Sequence, residues 1–217
     1  MSYKSPIGYI VEGHGEYNCY PSLLSRIVES TGFKIPRVNA GGCGNVIRNL
    51  DEQLSDLLLV ESPHTVIITV DLIDAIRQNL AENMDELVQI LSEQIDKWLN
   101  NAQDNERLHP LPRNIIIVIQ VVKFESWLIS DIEGLIKEGL VAKTTDTIDD
   151  SEAISSPDKW LTSNLSISGD IKNPDIAKTI VSALDPNIMR LHSKSFDRFF
   201  RKSTSAYNSW LKQLTPY

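Results

Sequence analysis

Three short runs of branched apolar residues constrain the fold of this chain more than any other feature. They read "IGYIV" at residues 7–11, "TVIITV" at 65–70 and "IIIVIQVV" at 115–122. Continuous apolar runs of this length are typical of strands in a parallel sheet that is buried on both faces. Residues 20–30, 46–58 and 84–102 carry apolar residues at helical spacing. This alternation predicts an α/β fold with a mostly parallel sheet flanked by helices.

The remaining segments are assigned by their turn and breaker residues. "FKIPRVN" at 33–39 predicts a short or edge strand, because Pro36 cannot donate to a sheet ladder. After Gly139 the chain becomes polar, with helical patterns only near its end. We therefore predict an α/β core over residues 1–138 and a mainly helical extension over 139–217 that packs on the same domain.

Composition limits the class of protein. The 217 residues are 41% hydrophobic, which is enough for one good core. The formal charge of −8 argues against binding nucleic acid by bulk electrostatics, although a local basic groove remains compatible with it. An apolar run of about 18 residues is absent from the sequence, so we expect no membrane span. We expect a cytoplasmic protein in which Cys19 and Cys43 are reduced thiols.

Acidic residues follow three of the predicted strands. Glu12 ends the first, Asp71 ends the central one with Asp74 soon after, and Glu125 lies just past the last. Parallel sheets bind ligands beyond the carboxyl ends of their strands, so these acids should meet at one edge. Crowded carboxylates repel unless a cation neutralises them, and ligand sets of oxygen alone suit magnesium or manganese.

Each acid also has a simpler interpretation. A carboxylate after a strand is often a solvated loop residue, and Asp71 or Asp74 could cap the following turn. Glu16 could merely favour the positive end of the next helix. The Gly13-His14-Gly15 turn is not a dinucleotide fingerprint, because the third glycine would fall at Asn18. The coincidence of three strand ends is what favours a shared site.

The basic residues offer several candidates for phosphate binding. In "MRLHSKSFDRFFRK" at 189–202, the phenylalanines are spaced for the buried face of a helix. The basic residues of that segment would then line its solvent face, where a phosphate-binding role is the alternative to simple solvation. The candidates across the chain are His14, Arg48, Lys123, Arg198 and Arg201.

Three motifs together resemble a known family. "IVEGHGE" at 10–16, "VDLID" at 70–74 and "VKFESWLISD" at 122–131 are similar to those of Toprim domains. The chain resembles most closely the small bacterial Toprim-like proteins that include the AriB effector of PARIS anti-phage systems, which are related to OLD-family nucleases. "YPSLLSRI" at 20–27 and "SFDRFFRK" at 195–202 extend the similarity over most of the chain.

This resemblance implies a site and an activity. Glu12 corresponds to the Toprim glutamate, Asp71 to the first acid of the D-x-D element and Glu125 to a later acid, while Ile73 stands where the second D-x-D acid is expected. The implied protein is a metal-dependent nuclease with an anti-phage or toxin-like role. Its metal ligands for Mg²⁺ or Mn²⁺ would be Glu12, Asp71 and Asp74, and its catalytic residues Glu12, Glu16 and Glu125.

The implied partners are DNA or RNA and an ATPase protein, and a homodimer is the default assembly for a small bacterial enzyme. Two other functions remain open at this point. One is a catalytically inactive Toprim-like module that binds metal or a partner, in which Ile73 marks lost chemistry. The other is a phosphoryl-transfer enzyme that acts on a small phosphate ester.

Overall fold

A computed structural model describes residues 4–143 and 148–214 of the chain. Within them lies a four-stranded parallel sheet in the order β2-β1-β3-β4. The strands are β1 (Ser5–Val11), β2 (Arg37–Asn39), β3 (Pro63–Asp71) and β4 (Asn114–Gln120). The predicted α/β class with a parallel sheet is confirmed, and β2 is the short edge strand that Pro36 suggested.

Helices lie in the connections between the strands and make up most of the described structure after β4. They are α1 (His14–Ile27), α2 (Cys43–Arg48), α3 (Leu50–Val60), α4 (Leu72–Arg77), α5 (Met84–Ala102), α6 (Phe124–Leu128), α7 (Ile132–Lys137), α8 (Pro157–Asn164), α9 (Pro174–Ala183), α10 (Pro186–His192) and α11 (Lys194–Leu214).

Some predicted boundaries were wrong. The stripe at 46–58 is divided between α2 and α3, which meet at Asn49. α1 begins at His14, several residues before the apolar stripe that predicted it, because Gly13 is its N-cap and Gly15 already lies in its first turn. The connection between α5 and β4 contains a short 3-10 turn, Glu106–Leu108.

Side chains of the sheet alternate between two apolar layers. Tyr9, Ile67 and Val118 point into one layer, and their neighbours along each strand point into the other. The second layer is closed by α2, α3 and α5. The first is closed by α1 and by the helices that follow β4. All nine residues of β3 are buried, as expected for a central strand covered on both sides.

The C-terminal helix α11 completes the first layer. It lies against β1 and β4, with Phe196 and Phe199 fully buried and Phe200 packed against the same cluster. The indole of Trp127 donates a hydrogen bond to Ser195 Oγ at 2.7 Å, which ties α6 to this helix. The predicted aromatic core face is confirmed. None of the described helices has the length and hydropathy that a bilayer span would need.

Candidate functional site

Strand ends place the acidic residues at one edge of the sheet. β1 ends at Val11, and Glu12 follows it directly. β3 ends at Asp71, which pairs in register with Gln120 at the end of β4. Four residues later α6 begins, with Glu125 in its first turn. Because the strands are parallel, the carboxyl ends of β1, β3 and β4 meet at this edge.

Three of the predicted ligands form a tight cluster. One carboxylate oxygen each from Glu12, Asp71 and Asp74 lies within 4.8 Å of the others. Glu12 Oε2 accepts a hydrogen bond from the Asp71 backbone N–H at 3.1 Å. Asp71 Oδ1 accepts another from the Phe124 N–H at 3.0 Å. Glu12 is 8% exposed and Asp71 is 7% exposed, so the cluster is held rigidly and largely out of water.

Lys123 is the cation that reaches this cluster. Its Nζ lies 3.1 Å from Asp74 Oδ2, and both side chains are partly buried. Arg77 approaches the other oxygen of Asp74 at 3.7 Å, but from an exposed position. Burial alone would lower the pKa of Lys123. Its hydrogen bond to Asp74 and the negative charges of Asp74, Asp71 and Glu125 together outweigh that effect, so the pKa is raised.

The crowded carboxyl groups are poor acids in the metal-free protein. Burial raises the pKa of Glu12 to about 7, and the charge of Asp74 adds to the rise. Burial likewise raises the pKa of Asp71 well above its ordinary value, with contributions from Glu16 and Glu12. The ion pairs of Lys123 and Arg77 are both with Asp74, so the buried carboxyl groups of Glu12 and Asp71 hold their protons more tightly than free carboxyl groups do.

Glu16 and Glu125 extend the acidic edge beyond the cluster. Glu16 is 5% exposed, and burial raises its pKa to about 8, with the charges of Glu12 and Glu125 adding to the effect. Burial also raises the pKa of the half-buried Glu125. Both side chains line one cavity together with Glu12 and Asp71. The pKa of Glu16 lies near the range in which a carboxylate can exchange protons at neutral pH.

That cavity encloses about 620 Å³ and has two walls. The sheet edge and the start of α1 supply one wall. The other comes from residues 158–172 of the C-terminal extension, including Lys159, Thr162, Ser163 and Lys172. Sequence reasoning missed these four residues. They lie in a polar stretch without periodicity, and no local pattern connects them to the acids of the sheet edge.

Only some of the predicted phosphate-binding residues line the cavity. His14 and Lys123 line the cavity, His14 from an exposed position at the start of α1. Arg48 lies on α2 outside the lining, where it donates to Asn45 Oδ1 at 3.3 Å. Arg198 and Arg201 are also outside it: Arg198 reaches Met84 Sδ at 3.8 Å, and Arg201 lines a separate surface cavity on α11.

Arg201 is also held by an ion pair, because its Nε lies 2.8 Å from Asp197 Oδ2. The same carboxylate accepts from Arg190. Asp197 thus neutralises two of the basic residues around it.

Both cysteines are buried free thiols. Burial raises the pKa of Cys43 to about 12, and the neighbouring carboxylates add to the rise. Burial also raises the pKa of Cys19 above its ordinary range. A thiol with so high a pKa is a weak nucleophile, so the chemistry of this site belongs to its carboxylates.

One comparison with known proteins gives a match. The family described as "Domain of unknown function (DUF4276)" matches residues 11–202, a range that contains the acidic cluster and both walls of the cavity. No curated protein and no solved structure matches the chain.

Proposed function

Since this chain belongs to the DUF4276 family, whose description carries no activity, we propose a function from the site itself: a metal-dependent nuclease that cleaves a phosphodiester of DNA or RNA. The observation that carries the proposal is the buried cluster of Glu12, Asp71 and Asp74, with carboxylate oxygens within 4.8 Å of one another. The similarity of the motifs to Toprim nucleases supports the same activity.

The donor set fits a hard divalent cation. All three groups offer oxygen, and no histidine or cysteine belongs to the cluster among the described residues. Such sets suit Mg²⁺ or Mn²⁺ rather than zinc. Glu12 and Asp71 are buried with raised pKa values, which indicates negative charge that the protein itself leaves uncompensated. When bound, the metal would neutralise phosphate charge and activate a water molecule.

The remaining residues of the cavity would handle protons and the phosphate. Glu16, with a pKa of about 8, can accept a proton from an attacking water, and Glu125 is the alternative base on the same wall. Lys123 can balance charge that develops on a phosphate oxygen close to Asp74. His14 stands at the exposed rim, where its ring can donate to the substrate backbone.

We also propose a biological role, a partner and an assembly for this protein. An anti-phage or toxin-like role, an ATPase partner and a homodimer all follow from that resemblance or from the size of the protein, and each is a proposal about this chain. The basic residues outside the cavity, Arg48, Arg198 and Arg201, are the proposed contacts to more distant parts of a nucleic acid.

The test compares the wild type with variants that remove one charge each. Labelled DNA and RNA are incubated with Mg²⁺ or Mn²⁺ and with the wild type, Glu12→Gln or Asp71→Asn. Glu138→Gln is the matched control, because Glu138 is exposed directly after α7 and does not line the cavity. We expect metal-dependent cleavage that both site variants lose and the control retains. Calorimetry should show that the wild type and Glu138→Gln bind the metal and that Glu12→Gln and Asp71→Asn do not.

The cavity volume favours a second candidate, an enzyme that hydrolyses a small phosphate ester. A volume of about 620 Å³ lies within the range of roughly 300–1,000 Å³ that is typical of small-ligand sites. Hydrolysis of a generic phosphate ester with both polymers untouched would favour this candidate. Metal binding without hydrolysis of any substrate would instead indicate a non-catalytic regulator.

A further inference from the structure

The two walls of the cavity differ in burial, which gives the site a floor and a mouth. Glu12, Glu16 and Asp71 are buried at the floor, together with Ile171 of the opposite wall. The mouth is lined by exposed side chains of the extension, among them Lys159. A substrate must therefore pass between the walls to reach the acidic cluster.

The width of this passage is fixed by contacts between its walls. Asn18 Nδ2 of α1 donates to the Lys172 carbonyl at 2.9 Å. A methyl group added to Gly15 would lie 2.8 Å from Ile171 Cδ1, so α1 and the extension are in direct contact there. Within the extension, the Ser166 N–H donates to the Leu140 carbonyl at 2.8 Å, which supports the second wall from behind. Opening the walls would break the Asn18 hydrogen bond and expose core residues.

A nucleic-acid duplex does not suit such a passage. Double-stranded DNA is a stiff rod with a persistence length of about 50 nm, so it cannot bend a phosphate into a recess of this size at low cost. A single strand is thin and flexible. We propose that the site acts on a single strand of nucleic acid and that about one or two nucleotides occupy the cavity. This inference rests on the proposed nuclease function and specifies its substrate class.

The mouth carries groups that suit the backbone of such a strand. Lys159 makes no ion pair within the described part of the chain, and Lys172 makes only an exposed contact of 3.9 Å with Asp170. Thr162 and Ser163 add exposed hydroxyl groups. Asp158 lies on the same wall, so binding depends on these individual groups rather than on a broad positive field.

Base recognition should be weak at this site. No phenylalanine, tyrosine or tryptophan is among the described residues that line the cavity. Binding without an aromatic platform relies on phosphate and sugar contacts, which hold the strand in place but carry little sequence information. We therefore expect cleavage of single strands of many sequences.

The experiment compares one sequence in two forms. Single-stranded DNA and RNA of about 20 nucleotides, longer than the roughly 4–16 nucleotides that a single-strand binding domain covers, are tested beside their blunt duplexes with Mn²⁺. We expect the single strands to be cleaved at least about tenfold faster, because a stiff duplex must first open its end. A variant with Lys159→Ala and Lys172→Ala should also bind the single strand with a salt dependence whose slope is smaller by about 1.4.

A variant with Lys97→Ala and Lys178→Ala is the matched control, because both lysines are exposed and neither lines the cavity. It should keep the wild-type slope. Equal cleavage of duplex and single strand would overturn this inference while the nuclease function stands, and so would an unchanged slope in the cavity variant. If neither form of either polymer is cleaved, the proposed function fails and the inference fails with it.

Discussion

Replacing Glu12 with glutamine should make the metal-free protein more stable while removing its metal binding. Glu12 is buried against Asp71 and Asp74, and its pKa is raised from 4.5 to about 7. A glutamine keeps an oxygen that can accept the Asp71 N–H but carries no charge. The substitution therefore removes the cost of burying an ionised carboxylate beside Asp74, a cost that a bound cation would otherwise offset.

The magnitude follows from the difference in pKa between the folded and unfolded states. The rise from 4.5 to about 7 corresponds to about 3 kcal/mol, at about 1.4 kcal/mol per pKa unit. Between these pH values the folded state binds more protons than the unfolded state, so the free energy of unfolding falls as pH rises. The advantage of Glu12→Gln should therefore be complete only above the folded pKa of about 7. At about pH 5 it should be below roughly 1 kcal/mol.

The assay is thermal and urea unfolding in EDTA at about pH 5 and about pH 8.5, where linkage predicts a small and a full effect. For a chain of this size, about 3 kcal/mol raises the Tm by roughly 6–12 °C. Glu138→Gln, at an exposed position, is the control and should leave the Tm unchanged at both pH values. A Glu12→Gln protein that is no more stable than the wild type at the higher pH would refute the reasoning, because the ionised Glu12 would then cost the folded state no stability.

Three further predictions concern neighbouring residues. Lys123→Met removes the ammonium 3.1 Å from Asp74, so calorimetry should show Mn²⁺ bound roughly tenfold more tightly, while cleavage slows. Ile73→Asp should change Mn²⁺ affinity by less than about threefold, whereas Asp74→Asn should lower it at least about tenfold, because ligand charge sets affinity. Gly134→Ala would place a methyl group 2.5 Å from the Ala183 carbonyl oxygen. Urea unfolding should show a loss of about 1–3 kcal/mol, despite the helix propensity of alanine.

The sheet and its acidic edge could be predicted because both depend on local pattern. Buried parallel strands appear in a sequence as continuous apolar runs, and the parallel arrangement brings their ends together. The pattern alone predicts that Glu12 and Asp71 lie at one edge of the sheet, and their oxygens are within 4.8 Å of each other. The aromatic face of α11 was found from its spacing for the same reason.

The second wall of the cavity could not be predicted because it depends on long-range docking. Lys159 and Lys172 approach the sheet edge only because Leu161 and Ile171 join the apolar layer against α1. That polar stretch has no periodicity from which its contact with the sheet edge could be predicted. The basic residues of α11 show the same limit: composition could not indicate that Asp197 already pairs with Arg190 and Arg201.

The local backbone explains why an acid is absent at Ile73 but present at Asp74. A D-x-D element places its acids two residues apart, a spacing at which side chains on a helix do not face each other. Here α4 begins at Leu72, directly after Asp71 ends β3 with extended backbone. Asp74 then lies about one helical turn beyond Asp71, a spacing at which side chains share one face. The oxygens of Asp71 and Asp74 accordingly lie within 4.8 Å of each other. The early start of the helix thus brings Asp74, rather than the residue at position 73, close to the carboxylate of Asp71.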